Sequence, residues 1–253
     1  MVKRVAFMML VLLLAAGALL TGCKKKEAAA AKPIVIATDA TWPPMEMVDE
    51  NKNIVGFDID LMNAAAKAGG FTVEFRNTAW DGIFAGLEAG QYDAVMSSVT
   101  ITDERKATMD FSVPYINAGQ ILVVQASVTG VETLAQLVGK KVGAQIGTTG
   151  AFEVEKVSGV TLRTYDEVGL AFEDLVNGRI DAVVCDTPVA AQFALQNETY
   201  KGKLKIVGKP FTTEYYGVAV KKGNTAVLDL INKGLNAVLN TDTYKQIEAK
   251  WLR

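Results

Sequence analysis

Short β-branched or apolar runs alternate along this chain with segments whose apolar residues recur every third or fourth position. The runs at 34–38, 71–75, 92–96, 120–125, 141–144, 181–184, 204–207 and 216–220 read as strands, because short stretches rich in Val, Ile and aromatic side chains suit a pleated, buried surface. Helical spacing puts Phe57, Leu61, Ala65 and Ala68 on one face behind a capping Asp58, with Gly69 and Gly70 ending the helix. A second helix is predicted over 80–88, stopped by Gly90. A third starts at Thr102, where Asp103 and Glu104 suit the positive first turn. Val227, Leu230, Ile231, Leu235, Val238 and Leu239 share a face of a longer C-terminal helix, and Tyr244, Ile247 and Trp251 gather on a last short one. Strands alternating with helices predict α/β architecture with mostly parallel sheets.

The chain also echoes itself. Phe84, Leu87, Gly90, Asp93, Ala94 and Val95 return, each 88 positions later, as Phe172, Leu175, Gly178, Asp181, Ala182 and Val183. Each copy reads as a helix, a glycine stop, a charged turn and a buried strand. Any α/β protein reuses such joints, but the joint match at Gly, Asp, Ala and Val favours two similar lobes, each with its own sheet.

At the N-terminus, Lys3 and Arg4 precede an apolar stretch over 5–20, and Gly22 stands before Cys23. The stretch is shorter than the ~20 residues of a spanning helix, so 1–22 reads as a secretory signal peptide rather than a membrane span or a buried helix. Cys after a small residue resembles the bacterial lipoprotein box, which implies cleavage before Cys23, lipid on its thiol and a membrane-anchored, extracytoplasmic protein. Residues 23–33 then form the anchor and a low-complexity linker, in which Lys24, Lys25 and Lys26 either touch anionic lipid or are simply solvated.

Composition narrows the chemistry. The 253 residues carry a formal charge of −2, or −4 without Lys3 and Arg4, so there is no basic footprint for nucleic acid. With no His, the Ser-His-Asp and Cys-His mechanisms and His-ligated metals are excluded, and two Cys make no zinc cluster. No cofactor is expected. If Cys23 is lipidated, Cys185 has no disulfide partner.

Ligands of open α/β sheets bind beyond the carboxyl ends of strands. Two echoed strand ends turn polar at once, into Ser97, Ser98 and Thr100 and into Cys185, Asp186 and Thr187, so facing lobes would line one cleft with them. Arg105, one turn into its helix, offers a fork that holds a carboxylate, the alternative being a surface ion pair. Gln145 to Gly150 follow a strand and precede a helix, with Thr149 at a start that suits an anion or merely a cap. Asp39, Trp42 and Trp80 follow strands, and an acid beside two indoles suits a cationic or amide side chain, whereas a lone Trp such as Trp251 is more simply core. One acid (Asp186), one base (Arg105), a helix start and an aromatic slot with Asp39 complement a zwitterion.

These residues resemble those of the bacterial extracellular solute-binding proteins of family 3, the polar amino-acid receptors of ABC importers. The resemblance rests on Gly56 to Leu61 with Ala65, Ala66 and Gly69, on Ser97 to Arg105, Phe111 to Tyr115, Gly147 to Thr149, Asp181 to Asp186 and Tyr244 to Trp251, and spans the chain from about Ile34. It implies a two-lobe, periplasmic-binding-protein-like (type II) clamp, each lobe a mixed, mostly parallel sheet flanked by helices, joined by a two-strand hinge. Lobe 1 would comprise 34–117 plus 213–253, and lobe 2 118–212. Arg105 would hold the ligand's α-carboxylate with Thr100 and the Thr149 backbone. Asp186 and the Ser98 carbonyl would take the α-ammonium, and Asp39, Trp42, Trp80, Ser97 and Gln145 would surround the side chain. The implied partners are an L-amino acid, arginine or lysine first and glutamine next, and an ABC permease in the inner membrane, with the receptor a monomer. Two other readings remain on this scaffold: a cyclohexadienyl (prephenate or arogenate) dehydratase, with Asp39 or Glu46 as general acid, and a receptor that feeds a signalling protein.

Overall fold

Two five-stranded sheets of matching topology carry residues 34–221 of the chain. The computed structural model describes residues 32–252; the signal segment, Cys23, Lys24, Lys25, Lys26 and the linker as far as residue 31 lie outside the described residues. β1 (Ile34–Thr38) leads into a small three-stranded sheet of β2 (Thr41–Trp42), β3 (Glu46–Val48) and β4 (Ile54–Val55). Then come α1 (Phe57–Gly69), β5 (Val73–Asn77), α2 (Ile83–Glu88), β6 (Ala94–Val95), α3 (Asp103–Thr108), β7 (Met109–Phe111) and β8 (Ile116–Asn117). The middle of the chain holds β9 (Gln120–Gln125), β10 (Lys141–Gln145), α4 (Thr149–Glu155), β11 (Thr161–Tyr165), α5 (Val168–Val176), β12 (Ala182–Asp186), α6 (Thr187–Ala191) and β13 (Leu204–Val207). The end holds β14 (Tyr215–Tyr216), β15 (Ala219–Lys221), α7 (Thr225–Val238) and α8 (Asp242–Trp251).

The first sheet has the order β5-β1-β6-β15-β7 and the second β11-β10-β12-β9-β13. In each, one strand (β15 or β9) runs against the other four, so both sheets are mixed and mostly parallel, as expected. The antiparallel pair β8–β14 lies where the chain leaves the first sheet for the second and where it returns. β9 and β12 are buried along nearly their whole length, as strands covered on both faces must be.

The sequence echo is a structural one. Asp93 N–H donates to the Val35 carbonyl at 2.8 Å while its Oδ2 accepts from Val35 N–H at 2.8 Å. Asp181 makes the same two bonds with Lys141, at 2.8 and 2.8 Å. Gly90 (φ 73°) and Gly178 (φ 70°) both turn the chain through the left-handed region just before.

α1 buries Phe57, Leu61, Met62 and Ala65 against Ile231, Gly234, Leu235 and Val238 of α7. A Cβ on Gly234 would lie 2.3 Å from the Ala65 carbonyl oxygen, so only glycine permits this approach. Burying Leu61 or Leu235 stabilises the pair by about 1.5–3 kcal/mol each.

Several boundaries differ from those the sequence predicts. Gly56, at φ 144°, is the N-cap of α1, and Asp58 sits buried in the first turn. α2 begins at Ile83, and Trp80 lies in the preceding turn, its carbonyl accepting from Ile83 N–H at 3.1 Å. The strand predicted at 71–75 is shifted to β5, and that at 92–96 contracts to β6, with Tyr92 in the bend before it donating its hydroxyl to the Ile83 carbonyl. The run 216–220 is two strands in different sheets, parted at Gly217. On α7, Leu230 faces solvent and Leu228 takes its place against the core. Among the described residues no helix is long and apolar enough to cross a membrane.

Candidate functional site

Four strands end at one place. β1 runs into Asp39, β6 into Ser97, Ser98 and Thr100, β10 ends at Gln145 ahead of Thr148 and Thr149, and β12 ends at Asp186. With Trp42, Trp80 and Arg105 these residues line a single pocket. The sequence-predicted residues Asp39, Trp42, Trp80, Ser97, Ser98, Thr100, Arg105, Gln145, Thr149 and Asp186 are thus all brought together, and Thr148 joins them.

On the first sheet's side the wall is backed by buried acids. Ser97 Oγ accepts from Asp39 N–H at 2.9 Å and donates to Glu46 Oε1 at 3.1 Å. Ser98, held at φ 52°, donates its N–H to Asp58 Oδ2 at 3.0 Å, and the Tyr115 hydroxyl donates to the same oxygen at 2.7 Å. Burial raises the Asp58 carboxyl to about 6, and burial followed by the charge of Asp58 pushes Glu46 well above its usual range.

Asp39 and Gln145 meet across the cleft, Gln145 Nε2 donating to Asp39 Oδ2 at 2.9 Å, and the Thr41 hydroxyl donates to Oδ1 at 2.8 Å. Burial raises the Asp39 carboxyl despite these bonds. The Trp80 ring is shared: it lines the pocket, packs edge-on against Phe84 at 5.1 Å, and carries the Arg105 guanidinium 5.5 Å from its centroid.

Arg105 is fixed from its backbone upward. The Thr102 side chain caps α3 by accepting from Arg105 N–H at 3.1 Å. Its guanidinium donates to the Thr100 carbonyl at 2.9 Å and, over the cleft, to the Gly147 carbonyl at 3.3 Å. Burial lowers its pKa to about 10, opposed by the charges of Asp186 and Glu214, so it stays cationic at neutral pH. Of the five N–H groups of a guanidinium, three remain to grip an anion.

Asp186 is the opposing acid. Burial raises its carboxyl to about 7, the charge of Glu214 adding to the effect, while Gln120 Nε2 donates to its Oδ1 at 3.1 Å. The Tyr216 phenol stands beside it, fully buried, with no partner in good hydrogen-bond geometry. Cys185 is a buried free thiol whose pKa burial pushes well up, a filler of the strand end. Among the described residues no cluster of His, Cys, Asp or Glu is arranged to hold a metal ion.

Gln120, Asp58 and Glu214 were missed by sequence reasoning, and Glu46 entered only as a candidate acid. Each reaches the site through partners 29 to 114 positions away, which no local motif signals.

Residues 34–253 match the family described as bacterial extracellular solute-binding proteins, family 3. A probable histidine-binding protein of Neisseria gonorrhoeae is 40% identical over 221 residues, covering 85% of this chain and 81% of that protein. A putative ABC transporter arginine-binding protein 2 of Escherichia coli K12 is 38% identical over 227 residues, covering 87% and 90%. An ancestral arginine-binding protein superposes in two solved forms. The form bound to arginine has a TM-score of 0.83 at 43% identity, covering 89% of this chain and 100% of that one. The form bound to glutamine has 0.82 at 44%, covering 88% and 99%. Shared architecture at that identity identifies the two sheets as the lobes of a type II periplasmic-binding-protein clamp, and the chain belongs to the bacterial extracellular solute-binding proteins, family 3.

Proposed function

We propose that this protein is an extracytoplasmic receptor that captures a basic L-amino acid, arginine above lysine, between its lobes and delivers it to an ABC permease. The carrying observation is the charge pattern of the pocket. Among the described residues that line it, Arg105 is the one cation, on which the charge of Asp186 acts, and the second acid, Asp39, is held by the Thr41 hydroxyl and the Trp80 backbone N–H. In this reading Arg105 and the first-turn N–H of Thr149 hold the α-carboxylate. Asp186 and the Ser98 carbonyl hold the α-ammonium. Asp39, Trp42, Trp80, Ser97 and Gln145 surround the side chain, whose second positive charge balances the surplus acid. Relatives named as arginine- and histidine-binding support a basic ligand, and their naming as binding proteins supports capture without chemical change.

Lobe 1 in this account is 34–117 with 213–253, lobe 2 is 118–212, and β8–β14 is the hinge. The leader and Cys23 support a lipid anchor outside the cytoplasm, and the receptor works as a monomer.

A second reading, a carboxamide ligand such as glutamine, is favoured by one contact: the amide of Gln145 already satisfies Asp39. Calorimetric titration of ligand-stripped protein separates the two. Arginine binding at least about tenfold tighter than glutamine supports the cationic subsite; the reverse order reassigns it to amides.

A further inference from the structure

Behind the pocket, one carboxylate oxygen collects protons from both lobes. Glu214 Oε2 accepts from the Thr149 hydroxyl at 2.6 Å and from the Thr100 hydroxyl at 2.9 Å, with Gln120 Nε2 at 3.4 Å. Glu214 is 8% exposed and lies just before β14, in the return crossing. It does not line the ligand pocket, whereas both threonines do. A threonine hydroxyl has a single proton. With those protons committed to Glu214, the two hydroxyls have only lone pairs left to offer, and Thr149 Oγ1 already spends one of them on Gln120 Nε2 at 3.1 Å.

The geometry points to Glu214 as a positioning residue that sets ligand specificity: it turns Thr100 and Thr149 into acceptors, reserving that end of the cleft for a ligand ammonium group beside Asp186. The inference rests on the amino-acid reading above and refines it. A ligand carboxylate cannot take a proton from either hydroxyl while Glu214 holds both, so Arg105 and backbone N–H groups bind the carboxylate alone. An ammonium group meets Asp186 and the Thr100 oxygen together. Glu214 thereby raises discrimination in favour of the α-amino group without touching it.

The test compares L-arginine with 5-guanidinopentanoate, which lacks only the α-ammonium, in calorimetric titrations of the purified protein. The readout is a ratio, the dissociation constant of 5-guanidinopentanoate divided by that of L-arginine. Glu214→Leu frees both hydroxyls to donate, and the ratio is expected to fall at least about tenfold, as losing a hydrogen bond to a charged group does. Glu214→Gln keeps an acceptor oxygen and is expected to restore most of the ratio. In a Thr100→Val/Thr149→Val background, Glu214→Leu is expected to leave the ratio unchanged, because no hydroxyl remains to direct. Melting temperatures report whether each variant folds, and Glu214→Gln carries the test if Glu214→Leu does not. A ratio that Glu214→Leu leaves unchanged, or a Glu214→Gln ratio reduced by tenfold or more in a folded protein, overturns the inference while wild-type binding of arginine stands. If the wild type binds L-glutamine instead, the same ratio is read with glutaramate. Failure of the wild type to bind either amino acid overturns the amino-acid reading itself.

Discussion

Gln145 and Asp39 join the two lobes through a hydrogen bond of 2.9 Å, although 106 positions separate them in sequence. Gln145 spends its second N–H on the Asp166 carbonyl at 2.8 Å, so its amide is held rigidly against the acid. The buried Asp39 carboxylate is left with acceptor capacity beside Trp80, whose backbone N–H also reaches it.

Asp39→Asn is therefore expected to weaken arginine binding by about ten- to a hundredfold, the size of a lost charge-assisted hydrogen bond, and to affect glutamine far less. Parallel titrations with both ligands check this, and equal losses would remove Asp39 from side-chain recognition.

Arg105→Ala removes the one cation among the described residues that line the pocket and is expected to lower affinity for every L-amino acid by at least about a hundredfold. The apo melting temperature should stay within a few degrees, since no pocket carboxylate is ion-paired with the guanidinium. Retained binding would remove the carboxylate role of Arg105.

Acidity should act oppositely on stability and on binding. Asp186 and Asp58 have carboxyls raised from 3.8 to about 7 and about 6, chiefly by burial. Folded protein holds more protons than unfolded chain between those limits, so the stability these groups contribute is full below about pH 4 and lost as pH rises through 6 to 7. The ligand-free protein is expected to melt higher at about pH 5 than at about pH 8. Arginine affinity is expected to fall over the same descent, as protonated Asp186 no longer pairs with the ammonium. Melting curves and titrations at both pH values test the two halves separately.

Gly56 holds φ 144°, and a Cβ there would lie 2.1 Å from the Met45 carbonyl oxygen. That approach lets Phe57 and Asp58 donate their N–H groups to the Pro44 and Met45 carbonyls at 3.0 and 2.9 Å, setting Glu46 and Asp58 behind the pocket. Gly56→Ala is expected to cost about 1–3 kcal/mol or more, seen as a lower denaturant midpoint with unchanged slope.

Legibility followed the range of the interaction. The echo at 84–95 and 172–183 was readable because helix, glycine stop and Asp-anchored strand are set within a dozen residues, and both copies use Asp93 and Asp181 identically. Among the lining residues, Asp39, Ser97, Ser98, Thr100, Gln145 and Asp186 were readable because polar strand ends mark one edge of a sheet. The strands of two or three residues in β2, β3 and β4 were not, since so few positions show no period. Nor was Glu214, whose partners Thr100 and Thr149 lie 114 and 65 positions away.

The most direct test of the account is thermal unfolding of the protein, stripped of ligand by unfolding and refolding, against each L-amino acid in turn. A ligand at a hundredfold excess over its dissociation constant adds about 2.7 kcal/mol to the native state, a shift of several degrees. The account predicts the largest shift with arginine and a smaller one with lysine. No shift with any amino acid would contradict it.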